Sequence, residues 1–180
     1  MLRTKVKFTY EDYEQLPQDK RYELMEGEFS MVPSPGWSHQ TVSKKLFRIL
    51  DDYITSRKLG EICYAPLDVV LSDEDVIQPD ILFISKERSH IITEKNIQGA
   101  PDLVIEILSP ATVGRDKGLK RKLYAKYGVK EYWIADLQNK RVEVMTLGEK
   151  GFETTQVYQA GDSLNSTLLK EFSLKLEEIF

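Results

Sequence analysis

Cysteine is nearly absent: Cys63 is the only one in 180 residues, so the chain can form no internal disulfide and no cysteine-based metal site. A lone thiol in an apolar stretch reads as a plain buried side chain rather than a nucleophile. No uninterrupted apolar run approaches the ~18 residues of a membrane span. The opening Met-Leu-Arg-Thr-Lys-Val-Lys also lacks the apolar segment of a secretory signal. The expectation is a cytoplasmic protein with no membrane contact. Basic charge is not in excess either, because 25 Lys and Arg stand against 29 Asp and Glu, for a net charge of −4. A non-specific nucleic-acid binder usually presents an overall basic face, so any DNA contact here has to come from local patches. Glycine-rich phosphate loops, internal repeats, low-complexity tracts and linkers are all missing. The length and a composition of 41% hydrophobic and 30% charged residues suit one globular domain over 1–180.

What is present is a series of helix and strand signals. Thr9 caps a short helix through Leu16, with acids in its first turn and Pro17 beyond its end. Tyr22 to Val32 reads as a hairpin turning at Glu26-Gly27, where glycine supplies the positive φ of a tight turn. After Pro33-Ser34-Pro35-Gly36, Ser38 caps a long helix running to about Lys58. Its Val42, Leu46, Ile49, Leu50, Tyr53 and Ile54 recur at helical spacing and pack one face onto a sheet. Glu61 to Leu71 and Val76 to Ile84 read as two strands of a hairpin about Ser72–Asp75. Ser85 to Ala100 reads as a surface loop with room for a helical turn. A strand through Leu103–Leu108, a basic helix from Arg115 to Tyr127, the strand Glu131–Asp136, a hairpin from Lys140 to Tyr158 and a short C-terminal helix complete the chain. The expected fold is α/β, a central mixed β-sheet flanked by helices, with an N-terminal and a C-terminal hairpin.

The chemistry concentrates between Ile77 and Pro110. Ile-Gln-Pro-Asp-Ile-Leu-Phe-Ile-Ser and Pro-Asp-Leu-Val-Ile-Glu-Ile-Leu-Ser-Pro each join a Pro-Asp to a β-favouring apolar run, so both read as buried strands. Alternation puts Leu103, Ile105 and Ile107 on one face and Val104, Glu106 and Leu108 on the other, leaving Glu106 as the polar exception in a strand covered on both sides. An ionised carboxylate there costs several kcal/mol unless a cation or strong donors meet it. Asp80, at the mouth of the preceding strand, is positioned to share that partner, and two converging carboxylates need a metal or a shared proton between them.

The basic helix carries six Lys or Arg between Arg115 and Tyr127, which by default is a solvated face. Projected at about 100° per residue with Asp116 at zero, Leu123, Tyr127 and Leu119 mark the packing side, and Lys120 falls only about 40° away. Asp116 and Tyr124 lie on or beside that side as well. Lys120 is thus the basic residue delivered inward, either to the Asp80 and Glu106 site or as a snorkelling lysine paired with Asp116 one turn earlier. Gly128 stops the helix.

The order of hairpin, Pro-Asp, apolar strand with a central acid and basic helix resembles the core of the PD-(D/E)XK nuclease superfamily. More closely, Pro79-Asp80, Pro101 to Pro110, Asp116 with Lys120 and Tyr124, and Gly128 to Ile134 are similar to a bacterial family of uncharacterised proteins labelled putative restriction endonucleases. Tyr22 to Glu28, Ser38-His39-Gln40 and the tail from Gly161 to Phe180 match it too, so the likeness covers nearly the whole chain. It implies a restriction-endonuclease-like core and an Mg²⁺-dependent endonuclease acting on DNA, with Mn²⁺ able to substitute and a homodimer expected. Asp80 and Glu106 match the two acids that hold the ion, helped by the Ile107 carbonyl. The superfamily's lysine position is Leu108 here, and the resemblance implies that the lysine has migrated to Lys120. The alternative is a nuclease-like fold that no longer cuts and binds nucleic acid or a protein partner.

Lesser candidates follow. Glu23 matches an acid that superfamily members bring to the site, against a solvent-facing hairpin residue. His39 could contact phosphate or relay a proton, against a structural role. Gln78 points to the same side as Asp80 and reads as a supporting donor, Asp102 as a turn former, and Tyr132 and Trp133 as core residues. Lys44, Lys45, Arg48, Lys117 and Arg121 are the local basic groups over which DNA would approach.

Overall fold

The structure, a computed structural model, describes residues 6–17, 19–110 and 112–180. Residues 1–5, and with them most of the opening stretch read above as no secretory signal, lie outside the described residues. Helix α1, Tyr10–Glu14, starts on a capping box in which Thr9 and Asp12 each accept the other's backbone N–H. Strands β1, Tyr22–Met25, and β2, Glu28–Met31, form the expected hairpin, with Glu26 and Gly27 at φ 51° and 77° as a two-residue turn requires. Helix α2 spans Trp37–Arg57, and its N-cap is Gly36, with no side-chain cap bond, so Ser38 lies in the first turn instead of capping it.

The two long strands expected between Glu61 and Ile84 are four short ones: β3 Gly60–Tyr64, β4 Val69–Ser72, β5 Asp75–Ile77 and β6 Ile81–Ser85. Each break falls at a proline, Pro66 and Pro79, whose missing N–H cannot continue a ladder, and there the chain steps between sheets. Ser85–Ala100 is more ordered than a loop: a 3₁₀ turn spans Lys86–Ile91, and β7, Ile97–Gln98, runs parallel to β4 with Ile97 buried beside Val69. Then come β8 Leu103–Ile107, the helical stretch of α3 Val113–Arg115, a π-turn over Asp116–Lys120 and α4 Arg121–Tyr127, and β9 Glu131–Asp136. Strands β10 Arg141–Gly148 and β11 Gly151–Gln159 make the expected hairpin. The expected C-terminal helix is instead a second hairpin of β12 Ser163–Asn165 and β13 Ser173–Lys175, followed by a 3₁₀ turn over Leu176–Glu178. Phe172, Leu174 and Leu176 are buried in alternation with exposed neighbours, a period of two that belongs to a strand.

One sheet is ordered β2-β1-β5-β4-β7 and the other β11-β10-β9-β8-β6-β3, the latter mixed because β8 and β9 are parallel. Every residue of β8 is buried. Leu103, Ile105 and Ile107 pack against Leu46 and Leu50 of α2 and against Trp133, whereas Val104 and Leu108 pack with Leu123, Tyr124 and Tyr132. The α/β class and flanking helices therefore stand as expected, and Glu106 sits on the face covered by α4. Cys63 is half-buried, and burial raises its thiol pKa, which suits an inert side chain.

Candidate active site

The site forms where the chain crosses from one sheet to the other. Strand β6 runs antiparallel on β8 with Ile81 opposite Ile105, so one residue further Asp80 falls opposite Glu106. Asp80 Oδ2 accepts the Ile107 N–H at 2.8 Å and lies 3.1 Å from His39 Nε2 in the first turn of α2. Glu106 is 3% exposed, and its Oε1 accepts from Lys120 Nζ at 3.0 Å and Tyr124 OH at 2.6 Å. Lys120, 5% exposed, also lies 2.8 Å from Glu23 Oε1 and 3.7 Å from Asp116 Oδ1. Glu23 arrives from β1, in the other sheet. Its Oε1 accepts the Gln78 N–H at 3.0 Å, and Arg115 Nη1 stands 3.5 Å from its Oε2. A cleft of about 250 Å³ opens over Asp80, Glu106, Asp116 and Lys120, walled by the 32–36 loop. The π-turn from Asp116 to Lys120 aims both of its ionisable ends inward; such wide turns recur at functional sites.

The charges do not balance. Counted with every carboxyl ionised and His39 left aside, Glu23, Asp80, Glu106 and Asp116 bring four negative charges against the two positive ones of Lys120 and Arg115 among the described residues, a formal −2. Burial pushes the Glu106 carboxyl well above the usual carboxylate range; Lys120 pulls it down, and the charges of Asp116, Asp80 and Glu23 push it further up. Burial likewise raises Asp116, against Lys120 and a Thr112 hydrogen bond, and its Oδ1 has no hydrogen-bond partner. Burial alone would lower Lys120, but the carboxylates of Glu106, Glu23 and Asp116 hold it above its ordinary value. It is therefore a cation at neutral pH, a donor and not a base. Burial raises the Tyr124 phenol too, so it donates as a neutral group.

A divalent cation that prefers oxygen ligands fits this donor set, since the excess charge and the orphaned Asp116 oxygen are what such an ion relieves. Among the described residues no group of three or more His, Cys, Asp or Glu is arranged to hold a metal ion. The fit is to the two-carboxylate set, Asp80 and Glu106 beside the Ile107 backbone, of the kind that leaves Mg²⁺ several of its waters.

The structure thus gathers Asp80, Glu106, Ile107, Lys120 and Glu23, with His39, Asp116 and Tyr124 around them. Lys120 is delivered to the acids and does not snorkel: its amine is buried against Glu23 and Glu106, and Asp116 one turn earlier is the more distant partner at 3.7 Å. Gln78 supports the site through its backbone, while its side chain bonds Arg21 and Asp68. Asp102 is no turn former: it is fully buried, accepting from the Ser85 N–H and pairing with Lys130 and Arg88. Arg115 is hidden in the sequence among six basic residues, because a regular helical projection turns it outward and nothing local signals the π-turn. The basic groups expected to guide DNA fall on different elements: Lys44, Lys45 and Arg48 on α2, Lys117 in the π-turn and Arg121 in α4. Lys44 lines a groove with Trp37, Phe47 and Tyr64, Lys45 meets the Ile179 carbonyl, and Lys117 and Arg121 line a separate groove beyond the cleft.

A family model described as Uma2, putative restriction endonuclease, matches residues 10–177. Among solved structures, a putative nuclease belonging to DUF820 from Anabaena variabilis ATCC 29413 is similar at a TM-score of 0.81 and 20% identity, over 96% of this chain and 97% of that one. At that identity the likeness shows the fold alone. Among curated proteins nothing matches.

Proposed function

Because the chain belongs to the Uma2 family, described as putative restriction endonucleases, we propose that it is a metal-dependent endonuclease. In this reading it hydrolyses DNA phosphodiester bonds at the Asp80 and Glu106 cleft with Mg²⁺, for which Mn²⁺ can substitute. The observation that carries the reading is Lys120: the superfamily's lysine position is Leu108, yet a buried amine from the next helix reaches Glu106 at 3.0 Å.

Asp80 and Glu106, with the Ile107 carbonyl, would hold the ion. Bound there, a divalent cation supplies Lewis acidity and makes a bound water more acidic. His39 and the Ile107 N–H fix Asp80, and Tyr124 fixes Glu106. The Lys120 ammonium has three N–H groups and directs two at Glu106 and Glu23. The third faces Asp116 at 3.7 Å without a hydrogen bond, and would turn to a phosphate oxygen as negative charge builds on it. Glu23, steadied by the Gln78 N–H and Arg115, positions that amine. DNA is the substrate and a cytoplasmic homodimer the working form in this proposal, and light scattering in solution measures the second.

Purified protein should nick supercoiled plasmid with Mg²⁺ or Mn²⁺ and not with EDTA. Asp80→Ala or Lys120→Ala variants that nick at the wild-type rate would refute the assignment. The second reading, a binding module that no longer cuts, draws on Leu108 and the acidic net charge. It requires no nicking and no Mg²⁺-dependent rise in Tm, whereas an ion bound only to the folded state raises Tm.

A further inference from the structure

The helix that aims Lys120 inward carries a different surface on its outer side. Lys117, Arg121, Lys122 and Lys126 point away from the cleft, and with Lys150 and Glu149 at the β10–β11 turn they line a groove of about 610 Å³. Five cations and one carboxylate give this groove +4 in a chain whose net charge is −4. Its walls are tied together where Arg121 Nη2 donates to the Phe152 carbonyl at 2.7 Å. Lys126 has Asp75 at 3.6 Å, and among the described residues Lys117, Lys122 and Lys150 make no ion pair. No residue lines both the groove and the cleft.

We propose that this groove is a second DNA-binding site, holding the phosphate backbone of a duplex away from the bond being cut; this rests on the nuclease reading above. The chemistry favours a backbone over a small anion because Lys117, Arg121, Lys122 and Lys126 follow one another along a single helical stretch. Lys117 to Lys126 covers about 13 Å at a helical rise of about 1.5 Å per residue, close to four base-pair steps of about 3.4 Å. Lysines are hydrated point charges suited to successive phosphates and carry no base readout, so the binding is sequence-independent. The helix separating groove and cleft is about 10–12 Å across with its side chains, narrow enough for one duplex to reach both. The groove therefore adds grip, and the cleft does the chemistry.

The test is fluorescence anisotropy of the full chain with a labelled duplex of about 30 base pairs, in EDTA so that nothing is cut, across a salt series. The Lys117→Ala, Lys122→Ala, Lys150→Ala triple variant should bind at least about tenfold more weakly at low salt. Its slope of log K against log salt should fall by about 2 to 3, near 0.9 for each phosphate that the variant leaves unneutralised. All three side chains are exposed, and circular dichroism checks that the variant folds. The triple variant should nick plasmid with a raised KM and an unchanged kcat. A triple variant with wild-type affinity and slope overturns the groove even if nicking is confirmed. Weak binding by the triple variant alongside a protein that never nicks defeats the nuclease reading and leaves the groove standing. Poly-glutamate bound as tightly as the duplex would assign the groove to acidic protein surfaces and overturn the DNA assignment.

Discussion

Asp102 and Glu106 stand at the start and near the end of the same buried strand region, and both are shut from water, yet their surroundings are opposite. Asp102 accepts the Ser85 N–H at 2.8 Å and meets Lys130 at 2.7 Å and Arg88 at 3.3 Å. Against the burial that would raise it, those partners hold its carboxyl below the usual range. Glu106 shares one lysine with Glu23 and Asp116, and burial pushes it well above that range. A carboxylate kept for architecture is given more donors than it needs. One left short of positive charge in a cleft marks a place where an incoming ligand completes the balance.

The comparison breaks most visibly at the lysines. Lys120→Met strands three buried carboxylates and should cost about 3–5 kcal/mol in urea denaturation. Lys130→Met, at a side chain 54% exposed, should cost under about 1 kcal/mol after solvent screening. Equal losses would mean the two clusters are alike. Next come the acids themselves, where the signs should differ. Asp102→Asn should destabilise by about 1–3 kcal/mol, because it weakens a fully partnered carboxylate. Glu106→Gln should leave the metal-free protein at least as stable as wild type while abolishing its Mg²⁺-dependent rise in Tm.

The pH dependence sharpens the same contrast. Asp102 is depressed in the fold, so its contribution is present above the unfolded value of 3.8 and is lost as pH falls through the lower folded one. Glu106 is raised, so its contribution is full below the unfolded value of 4.5 and is lost as pH rises through the higher folded one. Urea midpoints from pH 3 to 9 (roughly the span of buried carboxylates) should therefore show Asp102→Asn flattening the acid limb. Glu106→Gln should flatten the decline above it. The smallest effect is Tyr124→Phe, which removes the 2.6 Å bond to Glu106 and should cost about 1 kcal/mol, checked by the same denaturation.

Whatever depends on local period is legible in the sequence. Two-residue alternation exposes Glu106 as a polar residue in a dry strand, and the 3.6-residue projection singles out Lys120 without knowledge of its partners. Pairing across distance is not legible. Glu23 reaches Lys120 from β1 in the other sheet, and Arg115 reaches Glu23 from a helix whose register a π-turn alters. The β12–β13 hairpin reads as a helix in the sequence because Phe172, Leu174 and Leu176 form too short an alternation to stand out. Asp102 resembles a turn residue because its cations, Arg88 and Lys130, lie in other elements.

The most direct measurement is anomalous scattering at the manganese edge from crystals soaked in Mn²⁺. A peak touching the carboxylates of both Asp80 and Glu106, absent in Glu106→Gln crystals, is the predicted result. Crystals that take up Mn²⁺ elsewhere and show no peak between those two acids would contradict a metal-dependent site there.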